Sequence, residues 1–370
     1  PTMYKYHTPS GDKSCDGLAM ALRAGLTLRD LEMVQFHPTG LLAGTHTRMT
    51  GTVLEEGLRG SGGYLLNGAG ERFMGNYDDK LERATRDVVS RGIYAEMRAG
   101  RTTPHGGVHI SMAHLGPENV VKQFKGMVER CADSGFDLAG GLVEVVPTAH
   151  YMMGGVEFKP DCSTALPGLF AAGEDTGGVH GANRLGGNGV ANSTVYGGVA
   201  GEEMAAWVKA HGALHQPDAD EIAAVEAACR APLARPAGDL EGVRQALYEL
   251  MWDDVGIVRD AQGLARARGA LSELQARLDA TGVDASDLRY NLAWHDWMNL
   301  KNLILVSRAI CEAALVRENS RGAHYREDFP DAGELATSSY SLVRTAGEGF
   351  SVSRQPVKFS RVRPGESLLG

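Results

Sequence analysis

The stretch LFAAGEDTGGVHGANRLGGNG, residues 169–189, joins an apolar run to a glycine-rich segment with one arginine. The apolar run, within Ala165–Asp175, predicts a β-strand that stops at Gly173 and leaves Glu174 at its carboxyl end. In α/β sheets, ligands bind at the carboxyl ends of strands. Glycine lets the main chain approach a ligand closely, and Arg184 offers a planar fork to a carboxylate or phosphate. The stretch therefore predicts an α/β fold that binds a ligand.

The composition indicates a globular protein with more than one domain, since 370 residues with 43% hydrophobic content can bury a sizeable core. The net charge of -9 without a basic block argues against nucleic acid as a partner. No apolar run approaches the roughly 18 residues that a membrane helix needs. The five cysteines are scattered and form no C-x-x-C, which favours a reduced, cytosolic protein without its own metal site.

Apolar spacing and glycine punctuation predict mixed α and β elements in the first half of the chain. The predicted elements are a helix over Asp16–Arg23, a strand from Leu31 that ends at Pro38, hairpins and loops over Gly57–Gly75, a helix over Thr85–Met97 and a strand over His105–Leu115. No G-x-G-x-x-G follows a predicted strand and opens a helix, so the sequence lacks a dinucleotide fingerprint.

The second half of the chain predicts mainly helices, which begin after Gly198. Apolar residues share one helix face in two segments: Leu264, Leu271, Leu274 and Leu278 in one, and Leu300, Leu303, Ser307, Ile310 and Ala314 in the other. Residues 211–220 are a plausible linker, and the polar stretch from Ser338 predicts a tail or edge strands.

Six motifs follow one another along the chain. They are QFHPTG with His37, EEGLRGSGGYLLN with Glu56 and Arg59, TRDVV with Arg86, VPTAHYMMGGV with His150, LFAAGED with Glu174, and HGANRLGGNG with Arg184. In this order they resemble the flavoprotein subunit of succinate dehydrogenase and fumarate reductase. DDVGIVRDAQGL and ENSRGAHYREDFP extend the resemblance into the helical end, so that it covers about His7 to Pro330.

The resemblance implies an α/β and α+β multidomain fold with three parts. These are a partial FAD-binding Rossmann-like domain (1–33 and 149–212), an α+β capping domain (34–148) and a helical C-terminal domain (213–330), followed by a tail (331–370). In the family, a flavin-binding Rossmann segment with the glycine fingerprint comes first. We expect that segment to be missing here, as in a fragment, a truncated gene product or half of a split protein.

The family reaction moves a hydride between flavin N5 and a C4 dicarboxylate, so the resemblance implies FAD as cofactor and a dianionic substrate. Such a substrate needs several cations and hydrogen-bond donors. By resemblance, Arg184 and His150 hold one carboxylate and His37 holds the other. A buried histidine with a structural role is the plain alternative for His37 and His150.

By resemblance, Arg86 is the group that donates and accepts the substrate proton, and Glu56 and Arg59 form its relay. Arginine is a poor acid at its ordinary pKa, so this role needs a relay and a developing carbanion. Taken alone, Arg86 beside Asp87 at a helix start is equally typical of a surface ion pair.

Glu55 departs from the family pattern, which has a substrate-binding threonine at this position. An ionised Glu55 would repel a dicarboxylate, so we expect an altered or extended carboxylic acid substrate. Two alternatives stay open: burial keeps Glu55 protonated, or its side chain turns away to pair with Arg48 or Arg59.

The flavin contacts that the resemblance implies combine carboxylates with backbone amides. They are Asp16, Glu174, Asn188, Gly189 and Val190, with Asp12 as a competitor of Asp16. Glu174 matches the residue that accepts hydrogen bonds from the flavin ribose. Gly189 and Val190 match the pair whose amides approach the isoalloxazine ring.

The leading functional prediction is thus a flavin-dependent oxidoreductase that interconverts succinate and fumarate or a related carboxylic acid. An L-aspartate oxidase and a non-catalytic fragment without FAD are the alternatives. The resemblance implies two partners, which are a membrane anchor and an iron–sulfur subunit. It places the protein in the cytoplasm, peripheral to the inner face of the membrane through those partners.

Overall fold

The computed structural model describes residues 1–11, 13–44, 47–212, 216–284 and 287–367. Within them the helices are α1 Asp16–Arg23, α2 Gly57–Gly60, α3 Arg86–Arg98, α4 Pro117–Gln123, α5 Lys125–Ala132, α6 Asn188–His211, α7 Ala219–Arg230, α8 Leu240–Asp253, α9 Ala261–Ala280 and α10 Leu292–Val316. The strands are β1 Leu28–Arg29, β2 Val34–Leu41, β3 Tyr64–Leu66, β4 Val108–Ser111, β5 Leu142–Met152, β6 Gly155–Val156, β7 Ser339–Ala346 and β8 Gly349–Pro356.

The chain divides into two compact units. The first unit contains residues 1–2, 6–10 and 34–151, and the second contains residues 3–5, 11–33 and 152–370. Tyr151 closes the first unit, so His150 belongs to it.

The first unit is built on an antiparallel sheet in the order β2-β5-β4-β3. The long strand β5 lies inside the sheet and is buried along almost its whole length, because helices and loops cover it. Helix α3 packs against β2 and contributes Val89 and Ile93 to the apolar core. Alternating apolar residues of β4 and β5, such as Val108 opposite Val145, fill the centre of that core.

Strand β2 corrects one sequence prediction, because it does not end at Pro38 but continues to Leu41. Proline removes one ladder hydrogen bond and is tolerated on the outermost strand of a sheet. β2 is such a strand, since β5 is its only neighbour among the described strands. The continuation places His37 in the middle of a buried strand.

The second unit combines a bundle of helices with a small sheet in the order β6-β1-β7-β8. Helices α8, α9 and α10 pack on one another, and the leucines predicted to share a face of α9 are buried. The last strands, β7 and β8, form a hairpin across the turn at Gly347. The segment from Ser338 thus contains paired strands, one of the two forms that the sequence allowed.

Two predictions for the second unit are wrong. Residues 165–173 do not form a strand, because the chain reverses direction at Pro167 and Gly168. Gly168 has a φ of 83°, and the reversal brings Ser163 and Phe170 together as a bridged pair. The helix predicted to begin after Gly198 already begins at Asn188, as α6. Its N-cap is Gly187, with a φ of 80°, a conformation that glycine adopts without strain.

Among the described residues, no helix has both the length and the apolar character required to cross a bilayer.

Candidate active site

Four polar side chains of the first unit meet at the start of α3. We call this group the Glu56 cluster; its members are Gln35, Glu56, Arg59 and Arg86. Nη2 of Arg86 donates to Oε2 of Glu56 at 2.8 Å, and Nη1 of Arg86 donates to Oε1 of Gln35 at 3.0 Å. Nη2 of Arg59 donates to Oε1 of Glu56 at 3.3 Å. The structure therefore brings the three residues predicted as the proton relay into direct contact through one carboxylate.

Local sequence explains how these side chains meet. Arg86 is the first residue of α3, and the extended backbone of Thr85 starts that helix. Glu56 is the N-cap of α2 and Arg59 lies within its single turn, and residues three apart on a helix face the same side. The carboxylate of Asp87 pairs with Arg91 on the next turn of α3. Because Arg86 is buried and contacts Glu56, the surface ion pair that the sequence left open does not describe it.

The charges of the Glu56 cluster do not balance. The side chain of Arg59 is 1% exposed and that of Arg86 is 9% exposed, whereas the side chain of Glu56 is 44% exposed. Burial lowers the pKa of Arg59, Glu56 opposes that shift and the nearby charge of Arg86 adds to it. The Nε atoms of both arginines are buried without a hydrogen-bond partner among the described residues. Two cations and one anion leave a net positive charge that an anionic ligand would neutralise.

Two histidines predicted to bind substrate lie close together in the first unit. The ring centroids of His37 and His150 are 5.5 Å apart, with the rings inclined by 65°. The backbone amide of Thr39 donates to Nδ1 of His37 at 3.3 Å, which places the proton of the neutral ring on Nε2. Nδ1 of His150 lies 3.3 Å from Oγ1 of Thr8. Both rings are thus oriented by hydroxyl-bearing residues.

Glu55 is exposed, directly before the carboxylate of the Glu56 cluster. Among the described residues, no ion pair joins Glu55 to Arg48 or to Arg59. The pairing that the sequence left open for Glu55 is therefore not formed, and its carboxylate faces solvent.

In the second unit, Arg184 is buried, with 5% of the residue exposed, and its guanidinium group lies against the main chain of the next residue. Its backbone amide contacts Sδ of Met153 at 3.0 Å, and its Nη1 lies 3.4 Å from the carbonyl oxygen of Leu185. Four residues later α6 begins, so Asn188, Gly189 and Val190 form its first turn.

The predicted flavin-binding carboxylates of the second unit already have partners. Oε1 of Glu174 accepts from the backbone amide of Met152 at 3.0 Å, and Oε2 accepts from Nζ of Lys13. Asp16 is the first residue of α1, and its Oδ1 accepts from Ser14 and Asn302. Asp12, the competitor of Asp16, lies outside the described residues.

Comparison with known proteins gives two family matches. The FAD binding domain family matches residues 3–190, and the fumarate reductase flavoprotein C-terminal family matches residues 244–368. The chain belongs to the succinate dehydrogenase and fumarate reductase flavoprotein family. This is a family of FAD-binding oxidoreductases, and the mixed α/β architecture agrees with the resemblance seen in the sequence.

Individual members of the flavoprotein family match over most of the chain. A fumarate reductase (CoM/CoB) subunit of Methanothermobacter marburgensis is 41% identical over 89% of this chain and 59% of its own length. L-aspartate oxidase of Yersinia pestis is 36% identical over 89% of this chain and 58% of its own length. A solved quinol fumarate reductase chain of E. coli is 30% identical, with a TM-score of 0.88 over 99% of this chain and 65% of that chain. The chain thus spans less than two thirds of the length of these relatives.

The first turn of α6 fits the flavin of the family. A helix N-terminus carries a partial positive charge, and a Cβ atom on Gly187 would meet nothing within 4 Å, so a flat ring has room to approach. The amide of Val190 donates to the carbonyl oxygen of Gly187 at 3.2 Å, so of the predicted pair only Gly189 has an amide without a backbone acceptor among the described residues.

A second ionic group, which the sequence did not predict, surrounds Arg317 in the second unit. In this Arg317 cluster, the buried Arg317 donates to the carboxylates of both Asp30 and Glu32. Ser341 donates to Glu32 at 2.6 Å through its hydroxyl group and to Asp30 at 3.0 Å through its amide. Burial and the charge of Glu32 raise the pKa of Asp30 to about 7, although Arg317 opposes the shift.

Gln35 is a further member of the Glu56 cluster that was not predicted from the sequence. A glutamine draws little attention because it does not titrate. Its position in the sequence could have indicated it, because Gln35 precedes His37 by two residues and side chains two apart on a strand face the same side. Among the described residues, no group of three or more His, Cys, Asp or Glu side chains is arranged to hold a metal ion.

Proposed function

We propose that this chain forms part of a flavin-dependent oxidoreductase that interconverts succinate and fumarate or a closely related carboxylic acid. The observation that carries the proposal is the Glu56 cluster, in which two buried arginines share one half-exposed carboxylate. A site that binds a dianion needs positive charge in excess, and this cluster supplies it.

His37, His150 and Arg184 bind the substrate carboxylates in this proposal. A neutral His37 with its proton on Nε2 donates a hydrogen bond without adding charge, and the buried guanidinium of Arg184 supplies a fork of donors. Each of these donors would polarise the carboxylate group that it binds.

Arg86 holds the proton that is exchanged with the substrate carbon. Its Nη2 contacts Glu56, and Glu56 contacts Arg59 as well as solvent, so a proton from water can replace the one that Arg86 gives up. A bound FAD would supply the hydride-transfer chemistry, held through the first turn of α6 and through Glu174 and Asp16. Glu174 would exchange the bond from Lys13 for ribose hydroxyls.

Flavin binding by this chain requires further polypeptide in our proposal. The sequence has no dinucleotide fingerprint, and more than a third of the length of each of these relatives lies outside the match. Helix α6 supports this view, because Val190, Val195 and Val208 are 75%, 60% and 61% exposed. Apolar side chains at such exposure are typical of a surface that another segment covers.

The names of several relatives describe them as subunits, which supports partner chains. We propose that an iron–sulfur subunit exchanges electrons with the flavoprotein and that a membrane anchor holds the assembly at the inner face of the membrane.

A second candidate function is oxidation of an amino dicarboxylate, as in an L-aspartate oxidase. The specific observation in its favour is the exposed carboxylate of Glu55, which has no ion-pair partner among the described residues and would attract a substrate ammonium group.

The proposal is tested with the purified chain, alone and with the unmatched segment of the methanogen relative supplied as a second polypeptide. We expect flavin absorbance only with the second polypeptide, together with fumarate reduction by a reduced dye. Arg86→Ala should lower turnover by about 10²-fold or more and leave dicarboxylate affinity nearly unchanged. Arg83→Ala, which removes an exposed arginine just before α3, is the control. Turnover of Arg86→Ala at a tenth of the original rate would contradict the assignment.

A non-catalytic fragment would bind no flavin and reduce no fumarate under either condition. That result would reject the proposed function.

A further inference from the structure

Gln35 is the neutral member of the Glu56 cluster and contacts one arm of Arg86. Its Oε1 accepts from Nη1 at 3.0 Å, while the carboxylate of Glu56 accepts from Nη2 at 2.8 Å. The guanidinium plane of Arg86 is therefore fixed at two points. Because Gln35 is 1% exposed, water does not compete for the contact.

The backbone around Gln35 is held to α3 as well. The hydroxyl group of Ser90, one helical turn after Arg86, donates to the carbonyl oxygen of Phe36 at 3.2 Å. This bond ties β2 to α3 next to the side-chain contact. The amide oxygen of Gln35 thus has a fixed position relative to the first turn of α3.

The choice of an amide rather than a carboxylate matters for the charge. A glutamate at position 35 would make the same hydrogen bond but would add a further negative charge to the same guanidinium. The added carboxylate would hold the proton of Arg86 more tightly, as carboxylates do for any cation at hydrogen-bond distance. An apolar residue would leave Nη1 without this acceptor and let the guanidinium rotate. A neutral acceptor fixes the plane without adding charge.

We propose that Gln35 is a positioning residue that orients Arg86 for proton transfer without adding a carboxylate to the one that Glu56 supplies. This inference rests on the proposed function, in which Arg86 exchanges a proton with substrate. It assigns to Gln35 a role in the rate of the proton step and none in the binding of the dicarboxylate.

The decisive variant is Q35E, in the flavin-loaded protein. We expect the rate at neutral pH to fall about 10-fold or more, because the new carboxylate retains the proton of Arg86. As the pH falls and Glu at position 35 takes up a proton, it becomes a neutral partner and the rate should recover. The original protein should lack this recovery. A purely structural role predicts the original pH profile for Q35E, since the hydrogen bond survives.

The second variant, Q35M, keeps the approximate size of the side chain and removes the acceptor. We expect kcat to fall about 10-fold while KM for fumarate changes by less than about twofold. Q123E is the matched control, since Gln123 is an exposed residue at the end of α4 and the substitution adds the same charge. It should match the original protein in both rate and pH profile.

Each outcome decides the inference. An unchanged pH profile in Q35E, or an unchanged kcat in Q35M, overturns it. Loss of fumarate affinity in step with turnover, or failure of both variants to fold, would show that Gln35 supports the structure instead. A flavin-loaded parent protein without fumarate turnover would reject the proposed function itself, and this result is distinct because it needs no variant.

Discussion

The two ionic clusters of this protein combine arginines and carboxylates in opposite ratios. In the Glu56 cluster, two buried arginines share one carboxylate, and the side chain of that carboxylate is 44% exposed. In the Arg317 cluster, one buried arginine contacts two carboxylates, and the side chains of all three residues are at most 7% exposed. In the first cluster the arginines outnumber the carboxylate, which solvent can reach, whereas in the second the two carboxylates outnumber the one arginine that contacts them and are enclosed in the core.

From this difference we infer a reactive role for the Glu56 cluster and a structural role for the Arg317 cluster. Burial and the neighbouring charge of Glu32 raise the pKa of Asp30, so this carboxyl group can take up a proton. A surplus of positive charge cannot be relieved in that way at an arginine, which keeps its proton, so an anionic ligand is the natural partner. We therefore expect changes in the Arg317 cluster to affect stability and changes in the Glu56 cluster to affect turnover.

The largest effect is expected from Arg317→Leu. It leaves Asp30 and Glu32 buried without their cation, and breaking a buried pair in this way costs about 3–5 kcal/mol in the free energy of unfolding. Urea unfolding followed by circular dichroism measures the change. Arg268→Leu on the exposed face of α9 is the control and should lie within about 0.5 kcal/mol of the original. A stable Arg317→Leu variant would remove the contrast between the clusters.

The next effect is expected from Glu56→Gln. The amide retains one acceptor and points a donor at the other guanidinium, so the link between Arg59 and Arg86 breaks. We expect kcat to fall about 10²-fold in the flavin-loaded protein, with a change of about 1 kcal/mol or less in stability because Glu56 is half-exposed. Steady-state kinetics and urea unfolding measure the two effects, with Glu129→Gln on α5 as the control. A large loss of stability with normal turnover would contradict a reactive role for this cluster.

A smaller effect, visible only in the pH dependence, is expected from Asp30→Asn. The pKa of Asp30 is about 7 in the folded state and near 4 in the unfolded state. Between these values the folded chain holds a proton that the unfolded chain has lost, so stability should fall as the pH rises from about 4 to 7, by at most about 1.4 kcal/mol per pH unit. Asparagine should flatten this slope, and it tolerates the φ of 53° at this position.

Unfolding curves between pH 4 and 8 test the prediction for Asp30. The same slope in the original protein and in Asp30→Asn would show that another group takes up the proton. Asp284→Asn, at a residue of the second unit outside the cluster, should leave the slope unchanged.

The smallest effect is a change in substrate preference rather than a loss of function, and it is expected from Glu55→Thr. At ~4 Å and an effective dielectric constant near 20, two like charges repel by roughly 4 kcal/mol, an upper figure for an exposed carboxylate. Removing that charge should improve the relative kcat/KM for succinate and fumarate over that for amino- or hydroxy-substituted dicarboxylates. An unchanged ranking of these substrates would show that Glu55 does not face the substrate.

Helices were predicted from the sequence more accurately than strands were. Helix α1 was placed correctly and α3 to within one residue, because amphipathic spacing and helix ends are local signals. Residues 165–173 were mistaken for a strand, because an apolar run has the same composition whether or not a neighbouring strand is present to pair with it. The Pro167–Gly168 pair was the local evidence for a turn, and in the structure this turn interrupts the apolar run.

By itself, the sequence determined the family and the relative order of the site motifs, and it predicted Arg86, Glu56 and Arg59 as one functional group. Residue types and their spacing suffice for that, because each motif is short and continuous. Only the tertiary structure decided that Glu56 joins both arginines, that Gln35 holds the other arm of Arg86, and that Arg317 contacts two acids 285 and 287 positions away. Charge balance depends on which side chains share a buried space, and that is a property of packing which no local pattern records.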